Sequence, residues 1–445
     1  MITDTIAAIS TPPGTGGVGI IRISGPDSLA IANKIFDREL SESHKIVYGR
    51  VVCEGGAGVI DEALACYFKS PSSYTGEDVV ELYCHGGTVV CKMVLECALK
   101  NGAVLAEAGE FTKRAFLNGK IDLTRAEAVA DIISAKTQTA VLTAAGQLSG
   151  ILADKIKTLR GGLLEISAHI MAGLDFSEEV DEMPRDTMKE RLVSTLCEIN
   201  ALLDTADDGR IIKDGINAVI IGSANVGKSS FLNAVSGEDR VIVTSTEGTT
   251  RDTVEVSVNI RGCLVNLIDT AGIRETGDEA ERLGVERSVK AVENADIILL
   301  MLDGSRPLNQ NDKAVIDLVR GKNVICLVNK SDLPQRIDDL EFNRIFHISA
   351  LTGEGLDRLF TEISDRYKRG GLVSGAVITS PRQKQALIKA KGYLESAISA
   401  VDGGVPSDII MGELELCLSA LGEIDGMTVS DEIIDEIFSA FCVGK

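Results

Sequence analysis

Apolar residues follow different periods along the chain, and the changes of period divide the sequence. Up to about residue 118, short β-rich runs such as IIRIS and VVELY alternate with glycine turns, which predicts an α+β domain. From Arg125, apolar residues recur every three or four positions, as in a long amphipathic helix. That stripe comprises Leu148, Ile151, Leu152, Ile156, Leu159, Leu163, Ile166 and Ile170. A second helical stretch extends to about Asp208.

Residues 216–365 alternate strand and helix patterns, which predicts a doubly wound sheet. The strand patterns are INAVIIG, VEVSVNI, CLVNLID, DIILLML, NVICLVN and IFHIS. Beyond them, Ser380–Pro381, Ser407 and Ser430 are predicted to open three further helices. The simplest architecture is an α/β domain inserted between two halves of a helical domain.

Composition narrows the class of protein. The chain has 445 residues, 44% of them hydrophobic and 25% charged, which fits two to four globular domains. Ten cysteines without a C-x-x-C pair argue against structural zinc and for reduced thiols. The N-terminus does not look like a signal peptide, and the apolar runs are too short for a bilayer, so we expect a cytoplasmic protein without membrane contact.

The net charge of −21 restricts the partners. An acidic chain is repelled by nucleic acid unless it carries a local basic patch or has a basic partner. Any role in RNA chemistry therefore requires a separate source of positive surface.

Near the N-terminus, Gly14, Gly16 and Gly19 match the dinucleotide pattern G-x-G-x-x-G. A dinucleotide loop must lead into a helix, whose N-terminus holds the pyrophosphate. The residues after Gly19 are instead β-branched and predict a strand, so we expect another role for these glycines.

The segment GSANVGKS, residues 222–229, matches the phosphate-binding loop G-x-x-x-x-G-K-S between a predicted strand and helix. Backbone N–H groups of residues 225–228 are expected around phosphate oxygens, with Lys228 reaching the β- and γ-phosphates and Ser229 binding Mg²⁺. This motif alone leaves ATP and GTP undecided.

The base is indicated by Asn329-Lys330-Ser331-Asp332, which matches N-K-x-D after a predicted strand. The Asp332 carboxylate can accept from guanine N1–H and N2–H₂, and adenine offers no such donor pair. Ser349 and Ala350 match the loop whose amide meets guanine O6. Asp269, Thr270, Ala271 and Gly272 match the D-x-x-G element that senses Mg²⁺ and γ-phosphate. Together these motifs predict a GTPase.

One position departs from Ras-like GTPases. Ile273 follows D-x-x-G where Ras places the glutamine that orients water, and an apolar side chain cannot do this. Nearby candidates for that task are Arg251, Arg274 and Glu281.

Long segments of the chain resemble the bacterial MnmE (TrmE) family of tRNA-modification GTPases. They are PPGTGGVGIIRISG, SYTGEDVVELYCHGG, GEFTKRAFLNGKIDLTRAEAVADII, GSANVGKS, TEGTTRD, DTAGIRET and the terminal FCVGK. The resemblance covers essentially the whole chain. It implies a folate-binding and dimerisation α+β domain at 1–118, a helical domain at 119–211 and 371–445, and an inserted Ras-like P-loop GTPase domain at 212–370.

The resemblance also implies how GTP is held. Asn225 is expected to ligate K⁺ together with Thr244, Thr246 and Thr249, and Ser229 and Thr250 to ligate Mg²⁺. Glu281 is the expected group that orients water, with Arg274 and Arg251 shaping the closed loops. The remaining GTP-binding residues expected are Val226, Gly227, Lys228, Ser230, Ser245, Glu247, Gly248, Asp269, Thr270, Ala271, Gly272, Asn329, Lys330, Asp332, Ser349 and Ala350.

A second site is implied for 5-formyl- or 5,10-methylene-tetrahydrofolate. Its expected contacts are Arg22, Glu81, Lys120 and Lys445, and Cys442 is a candidate reactive thiol. The resemblance further implies a homodimer and an FAD-containing partner, MnmG or GidA. Together with this partner, a protein of this family is expected to install an aminomethyl-type group on carbon 5 of the wobble uridine of certain tRNAs.

Two other functions stay open at this point. A regulatory GTPase of the ribosome-assembly type usually attaches a basic RNA-binding module, whereas this chain is acidic. A folate-dependent aminomethyltransferase without GTP control leaves the guanine-nucleotide motifs unexplained. Folate titration separates the first alternative from a tRNA-modification GTPase.

Overall fold

The computed structural model describes residues 4–53, 58–176, 183–237, 256–269, 291–337, 339–367 and 375–445. The chain forms two compact units. Unit 1 comprises 1–130, 147–196 and 389–445, and unit 2 comprises 131–146 and 197–388. The finer boundaries expected at 118, 211 and 370 stay a prediction.

Unit 1 contains a six-stranded sheet in the order β3-β4-β5-β2-β1-β6. Its neighbouring strands are antiparallel except β1 and β6, which are parallel. The strands are β1 (Ile6–Ile9), β2 (Gly19–Ser24), β3 (Ile46–Cys53), β4 (Gly58–Phe68), β5 (Val79–Cys84) and β6 (Val104–Leu105). Strand β2 begins at Gly19 itself, so the glycine loop leads into a strand and does not have the dinucleotide-binding geometry.

The two faces of this sheet have different roles because side chains alternate along a strand. One face packs against α1 (Ser28–Ile35) and α2 (Thr88–Lys100), and its core includes the buried Ile21 and Ile23. Arg22 lies between them and is in register with Ala8 on β1 and Glu81 on β5. The face with Ala8 therefore carries a charged pair.

One expectation about the cysteines is wrong. Cys53, at the end of β3, and Cys97, on α2, form a disulfide although they lie 44 residues apart in sequence. Packing of α2 on the sheet brings their Cα atoms within 5.9 Å. Such a pairing between distant residues has no local spacing signature, so the sequence could not reveal it.

Helices make up most of the remaining chain. They are α3 (Glu110–Leu117), α4 (Leu123–Ser134), α5 (Gln138–Leu148), α6 (Ile151–Asp175), α7 (Arg185–Asp204), α8 (Ala206–Asp214), α12 (Pro381–Asp402), α13 (Ser407–Asp425) and α14 (Asp431–Ser439). Helix α6 packs against α13. None of the described helices combines the length and apolar composition that a bilayer span requires.

The predicted amphipathic stripe is divided between two helices, because Leu148 ends α5 and the other members lie in α6, where those from Leu152 onward are buried. Its first two members are exceptions, because Leu148 and Ile151 are 37% and 43% exposed. The helix-opening serines also differ from one another. Ser430 occupies the N-cap position of α14, but Pro406 takes that position in α13, so Ser407 is the first helical residue there.

Unit 2 contains the predicted doubly wound sheet, in the order β12-β11-β10-β7-β9-β8. All neighbouring strands are parallel except β8 and β9. The strands are β7 (Ile216–Ile221), β8 (Val256–Ile260), β9 (Cys263–Asp269), β10 (Ile297–Asp303), β11 (Val324–Asn329) and β12 (Ile345–His347). The associated helices are α9 (Lys228–Val235), α10 (Gln310–Val319) and α11 (Leu356–Tyr367). The α/β fold predicted for this part of the chain is confirmed.

Candidate functional site

The phosphate loop connects β7 to α9 and has the conformation that its sequence predicts. Asn225 has φ 64° and Gly227 has φ 102°, so the loop passes twice through the left-handed region before the helix begins at Lys228. A Cβ at position 227 would lie 2.2 Å from Asn329 Nδ2, which excludes any larger residue. The free N–H groups of the first turn of α9 form an anion-binding end.

Two side chains of this loop differ in exposure. Lys228 is buried, and its Nζ donates to the carbonyls of Gly222 at 2.7 Å and Ser223 at 2.9 Å. These bonds keep the ammonium at the loop. Asn225 is exposed, as are Ser229 and Ser230 at the start of α9. The two serines lie in the first turn of the helix, where Mg²⁺ and phosphate are expected.

The guanine loop is joined directly to the phosphate loop through Asn329. Its Nδ2 donates to the Val226 carbonyl at 2.8 Å, and its Oδ1 accepts from the Ala350 N–H at 2.9 Å. The side chain is only 3% exposed, so both bonds are shielded from water. Three sequence motifs that are far apart in the chain thus meet at one amide group.

The other guanine-loop residues follow from the end of β11. Lys330 has φ 67°, which turns the chain so that its Nζ reaches Asp303 Oδ2 at 2.7 Å. Asp332 is exposed, and its role in base recognition stays a prediction. Ser349 is fully buried, and its Oγ accepts from the Thr352 N–H at 3.2 Å, which fixes the loop that presents Ala350.

Several predicted residues are outside the described part of the chain. Asp269 ends β9 and its backbone is in register with Ile220. The predicted residues outside the described ranges are Thr244, Ser245, Thr246, Glu247, Gly248, Thr249, Thr250, Arg251, Thr270, Ala271, Gly272, Arg274 and Glu281, together with Ile273. Their roles stay predictions.

Three charged residues near the nucleotide loops lie outside every motif recognised in the sequence. Asp303 ends β10, Arg306 follows in the next loop, and Asp312 lies in the first turn of α10. Asp312 and Asn309 form a capping box, which is the only one of these features with a recognisable sequence signature. The Asp312 carboxylate also accepts from Ser223 Oγ, so α10 is tied to the phosphate loop.

A second polar site lies on the face of the unit 1 sheet opposite α1 and α2. The Arg22 guanidinium donates to Glu81 Oε1, with both N···O distances 2.8 Å. Tyr83 donates to the other carboxylate oxygen at 2.7 Å. The rings of Tyr74 and Phe111 lie 5.3 and 5.5 Å from the Arg22 carbon Cζ. A cation, a carboxylate and two aromatic rings therefore converge here, and the folate contacts expected of Arg22 and Glu81 stay predictions.

The C-terminal residues approach the same place. Val443 forms an antiparallel bridge with Ala108, and the Lys445 carbonyl accepts from the Phe111 N–H at 3.2 Å. Gly444 has φ 91°, and a Cβ there would lie 2.3 Å from the Ile9 carbonyl oxygen. The glycine of Cys-x-Gly-Lys thus allows the C-terminal segment to pack closely against β1. The Cys442 thiol is exposed.

Lys120, the third residue expected at this site, is hydrogen-bonded to another loop of unit 1. Its Nζ donates to the Pro71 carbonyl at 2.9 Å, in the segment that also carries Tyr74. That segment is anchored by Arg114, which is fully buried and pairs with Asp4, Glu77 and Glu110. Sequence reasoning missed Arg114, because an arginine in an α-helical pattern is normally exposed. No cluster of three or more metal-ligating side chains occurs among the described residues.

Two protein-family models match this chain. The family model of the MnmE helical domain matches residues 123–442, and that of the GTP-binding protein TrmE N-terminus matches residues 5–120. The solved structures compared with this chain match only part of it, and their TM-scores are low. The G domain of the T. maritima FeoB iron transporter is 24% identical, covers 35% of this chain and 99% of that chain, and has a TM-score of 0.27.

Full-length relatives are much closer. The tRNA modification GTPase MnmE of Thermoanaerobacter pseudethanolicus is 45% identical over 460 residues, covering 100% of both chains. The protein of that name from Clostridioides difficile is 44% identical and also covers 100% of both. The one from Bacillus subtilis is 43% identical and covers 99% of this chain and 100% of its own. The chain therefore belongs to the MnmE family of tRNA modification GTPases.

Proposed function

We propose that this tRNA modification GTPase couples GTP hydrolysis, assisted by K⁺ and Mg²⁺, to one-carbon chemistry on a folate bound to unit 1. The observation that carries the GTP site is the amide of Asn329, which joins the guanine loop, the phosphate loop and Ala350. The product proposed is an aminomethyl-type group on carbon 5 of the wobble uridine. Mass spectrometry of wobble uridines from a deletion strain tests it, and unchanged nucleosides would contradict it.

The phosphate loop suits a monovalent cation at Asn225. Its left-handed backbone and exposure leave the side-chain oxygen available for ligation. With Thr244, Thr246 and Thr249 as the other proposed ligands, a bound K⁺ would stabilise the charge that develops on the phosphates. Within the chain, Glu281 is proposed to orient the attacking water, Arg274 and Arg251 to shape the loops, and Ser229 and Thr250 to hold Mg²⁺.

Hydrolysis in KCl against NaCl at equal ionic strength tests the cation. We expect K⁺ to raise the rate roughly 10³-fold, because charge stabilisation of this kind has that magnitude in related reactions. Asn225→Ala should remove most of the difference while Asn259→Ala, on β8, should leave it. Equal rates in both salts would refute the potassium proposal.

The second site suits a folate. Glu81 can accept from pterin N–H groups, the aromatic rings of Tyr74 and Phe111 offer apolar faces, and cationic side chains suit the glutamate carboxylates. Lys120 and Lys445 are the proposed carboxylate partners, and Cys442 is the proposed thiol beside them. Calorimetry of the full chain with 5-formyltetrahydrofolate tests this site, and absence of both heat and competition would remove it.

Unit 1 also supports a homodimer. Exposed apolar side chains surround a pocket of ≈ 550 Å³ beside the edge strand β6. Val18 and Leu105 line this pocket and are 57% and 54% exposed, and their sequence region also exposes Val89 and Val104, at 71% and 52%. Exposed apolar side chains beside a sheet edge favour a second copy as their cover. Leu105→Glu should therefore shift light scattering from dimer to monomer, whereas Leu64→Glu, an exposed control on β4, should not.

The net charge of the chain bears on how it would bind tRNA and a partner protein. A chain with net charge −21 does not attract tRNA over its whole surface. The FAD-containing protein of the MnmG or GidA type is proposed to supply much of the tRNA-binding surface, in a cytoplasmic complex. Co-elution of tRNA with the mixture of the two proteins, and not with this chain alone, is the expected result.

A further inference from the structure

The guanine and phosphate loops of unit 2 are connected by a second route, apart from Asn329. At the guanine end, Asp303 accepts from Lys330 Nζ at 2.7 Å and from Ser305 Oγ at 2.6 Å. At the phosphate end, Asp312 accepts from Ser223 Oγ at 2.5 Å. Each loop is thus bonded to its own buried carboxylate.

The Arg306 guanidinium lies between these two carboxylates. Its NH1 is 2.7 Å from Asp312 Oδ2, and its Nε is 3.7 Å from Asp303 Oδ2. Its NH2 is also 3.4 Å from Ser223 Oγ. One planar cation therefore links groups bonded to both nucleotide loops, and Arg306, Asp303 and Asp312 themselves lie outside the phosphate and guanine motifs.

Burial gives this link its strength. Asp312 is 1% exposed and Asp303 is 8% exposed, while the Arg306 side chain is 32% exposed. Burial alone would raise the pKa of Asp312, but hydrogen bonds from Arg306, Ser223 and the Asn309 N–H hold that pKa below its usual range. Both carboxylates are therefore anionic at neutral pH, and each requires its cation.

We propose that Arg306 is a positioning residue that couples guanine recognition to the conformation of the phosphate loop. The inference rests on the proposed GTP site. When the base fixes Lys330, Asp303 and Arg306 are held, and Arg306 in turn holds Asp312 and Ser223. A lysine cannot substitute fully, because its ammonium lacks the planar fork that reaches two carboxylates.

Binding of GDP and IDP by the full chain tests the coupling. IDP lacks the 2-amino group of guanine, so the ratio of the two affinities measures base recognition. Arg306→Ala should lower GDP affinity roughly tenfold and reduce the GDP/IDP ratio about threefold or more, since hydrogen bonds to charged groups have this order of effect. The control Arg320→Ala should change neither the GDP affinity nor the GDP/IDP ratio. Arg320 is exposed, and its ion pair with Asp317 is a long surface contact of 4.0 Å.

A purely structural role predicts a different result. It would lower the unfolding temperature and both affinities equally, leaving the GDP/IDP ratio unchanged, and that outcome would overturn the proposal. Arg306→Lys should give an intermediate ratio. If the wild-type chain binds no GDP, the proposed GTP site fails, and with it the basis of this inference.

A double-mutant cycle tests the link with Arg306 intact. Ser223→Ala and Ser305→Ala remove one hydrogen bond at each end of the route. Their effects on GDP affinity should be non-additive by about twofold or more, and additive in the Arg306→Lys background. Additive effects in the wild-type background would contradict the coupling, even if Arg306→Ala fails to fold.

Discussion

The nucleotide site of unit 2 and the polar site of unit 1 are assembled in opposite ways. The nucleotide loops follow directly from the ends of parallel strands, and short contiguous motifs supply nearly all of their groups. In unit 1, Arg22 and Glu81 come from different strands, Lys120 follows a helix, and Lys445 ends the chain. Local sequence therefore specifies the first site, whereas long-range packing specifies the second.

The difference extends to what holds each site in shape. In unit 2, Asn329 bonds directly to the backbone of its neighbouring loops. In unit 1, Arg114 stabilises the surroundings of the site by pairing with carboxylates from three separate segments. None of these ion pairs includes Arg22. We expect substitutions in the first site to abolish one specific interaction and those in the second to act over several segments.

The strongest test of a locally specified site is Asp332→Asn. Its amide presents a donor to guanine N–H groups, so kcat/KM for GTP should fall roughly 10³-fold or more, and xanthosine triphosphate should become the better substrate. Steady-state hydrolysis of both nucleotides measures this. Asp317→Asn, an exposed control on α10, should behave as wild type. An unchanged KM for GTP would show that the guanine assignment is wrong.

The support of the unit 1 site is tested by Arg114→Met. Removing this buried cation should destabilise unit 1 by about 3–5 kcal/mol, because the three carboxylates that pair with Arg114 lose their counter-charge. Hydrogen exchange of β2 and β5 amides should accelerate, while β10 and β11 stay protected. The exposed Arg38 provides the control Arg38→Met. Equal protection in both variants would mean that Arg114 does not support the sheet.

A smaller effect is expected from Arg22→Gln. Loss of the cation leaves Glu81 without its ion pair, and affinity for 5-formyltetrahydrofolate should fall roughly 10- to 100-fold. Arg50→Gln is the matched control, since Arg50 pairs with Glu62 across neighbouring strands but both side chains are about half exposed. Calorimetry compares the two. Similar losses would show that the effect comes from strand pairing and not from the site.

The smallest effect concerns pH. Burial would raise the pKa of Asp303, but hydrogen bonds from Lys330 and Ser305 outweigh it and lower the pKa, as also happens at Asp312. A depressed folded-state pKa stabilises the fold above the unfolded value of about 4, and this is lost as pH falls through the folded pKa. Calorimetric unfolding should therefore show less acid destabilisation in Asp312→Asn than in the exposed control Asp357→Asn. Parallel curves would exclude Asp312 as a contributor.

Much of the nucleotide domain could be predicted because its information is local. Alternating strand and helix patterns indicated β7, β10 and β11, and the glycine loop after β7 has the predicted left-handed residues. The pattern could not indicate Arg306 or the partner of Asp312, because an ion pair between two loops leaves no period in the sequence. The disulfide of Cys53 and Cys97 was missed for the same reason.

The sequence by itself determined the strands, the phosphate and guanine motifs and, through resemblance, the family. Tertiary structure alone decided that the C-terminal tail docks beside Phe111, that Arg22 meets Glu81 near two aromatic rings, and that one guanidinium pairs with two carboxylates. Backbone geometry is set by neighbours a few residues away, so motifs reveal it. Contacts between side chains distant in sequence depend on how sheets and helices pack, and only the folded chain brings them together.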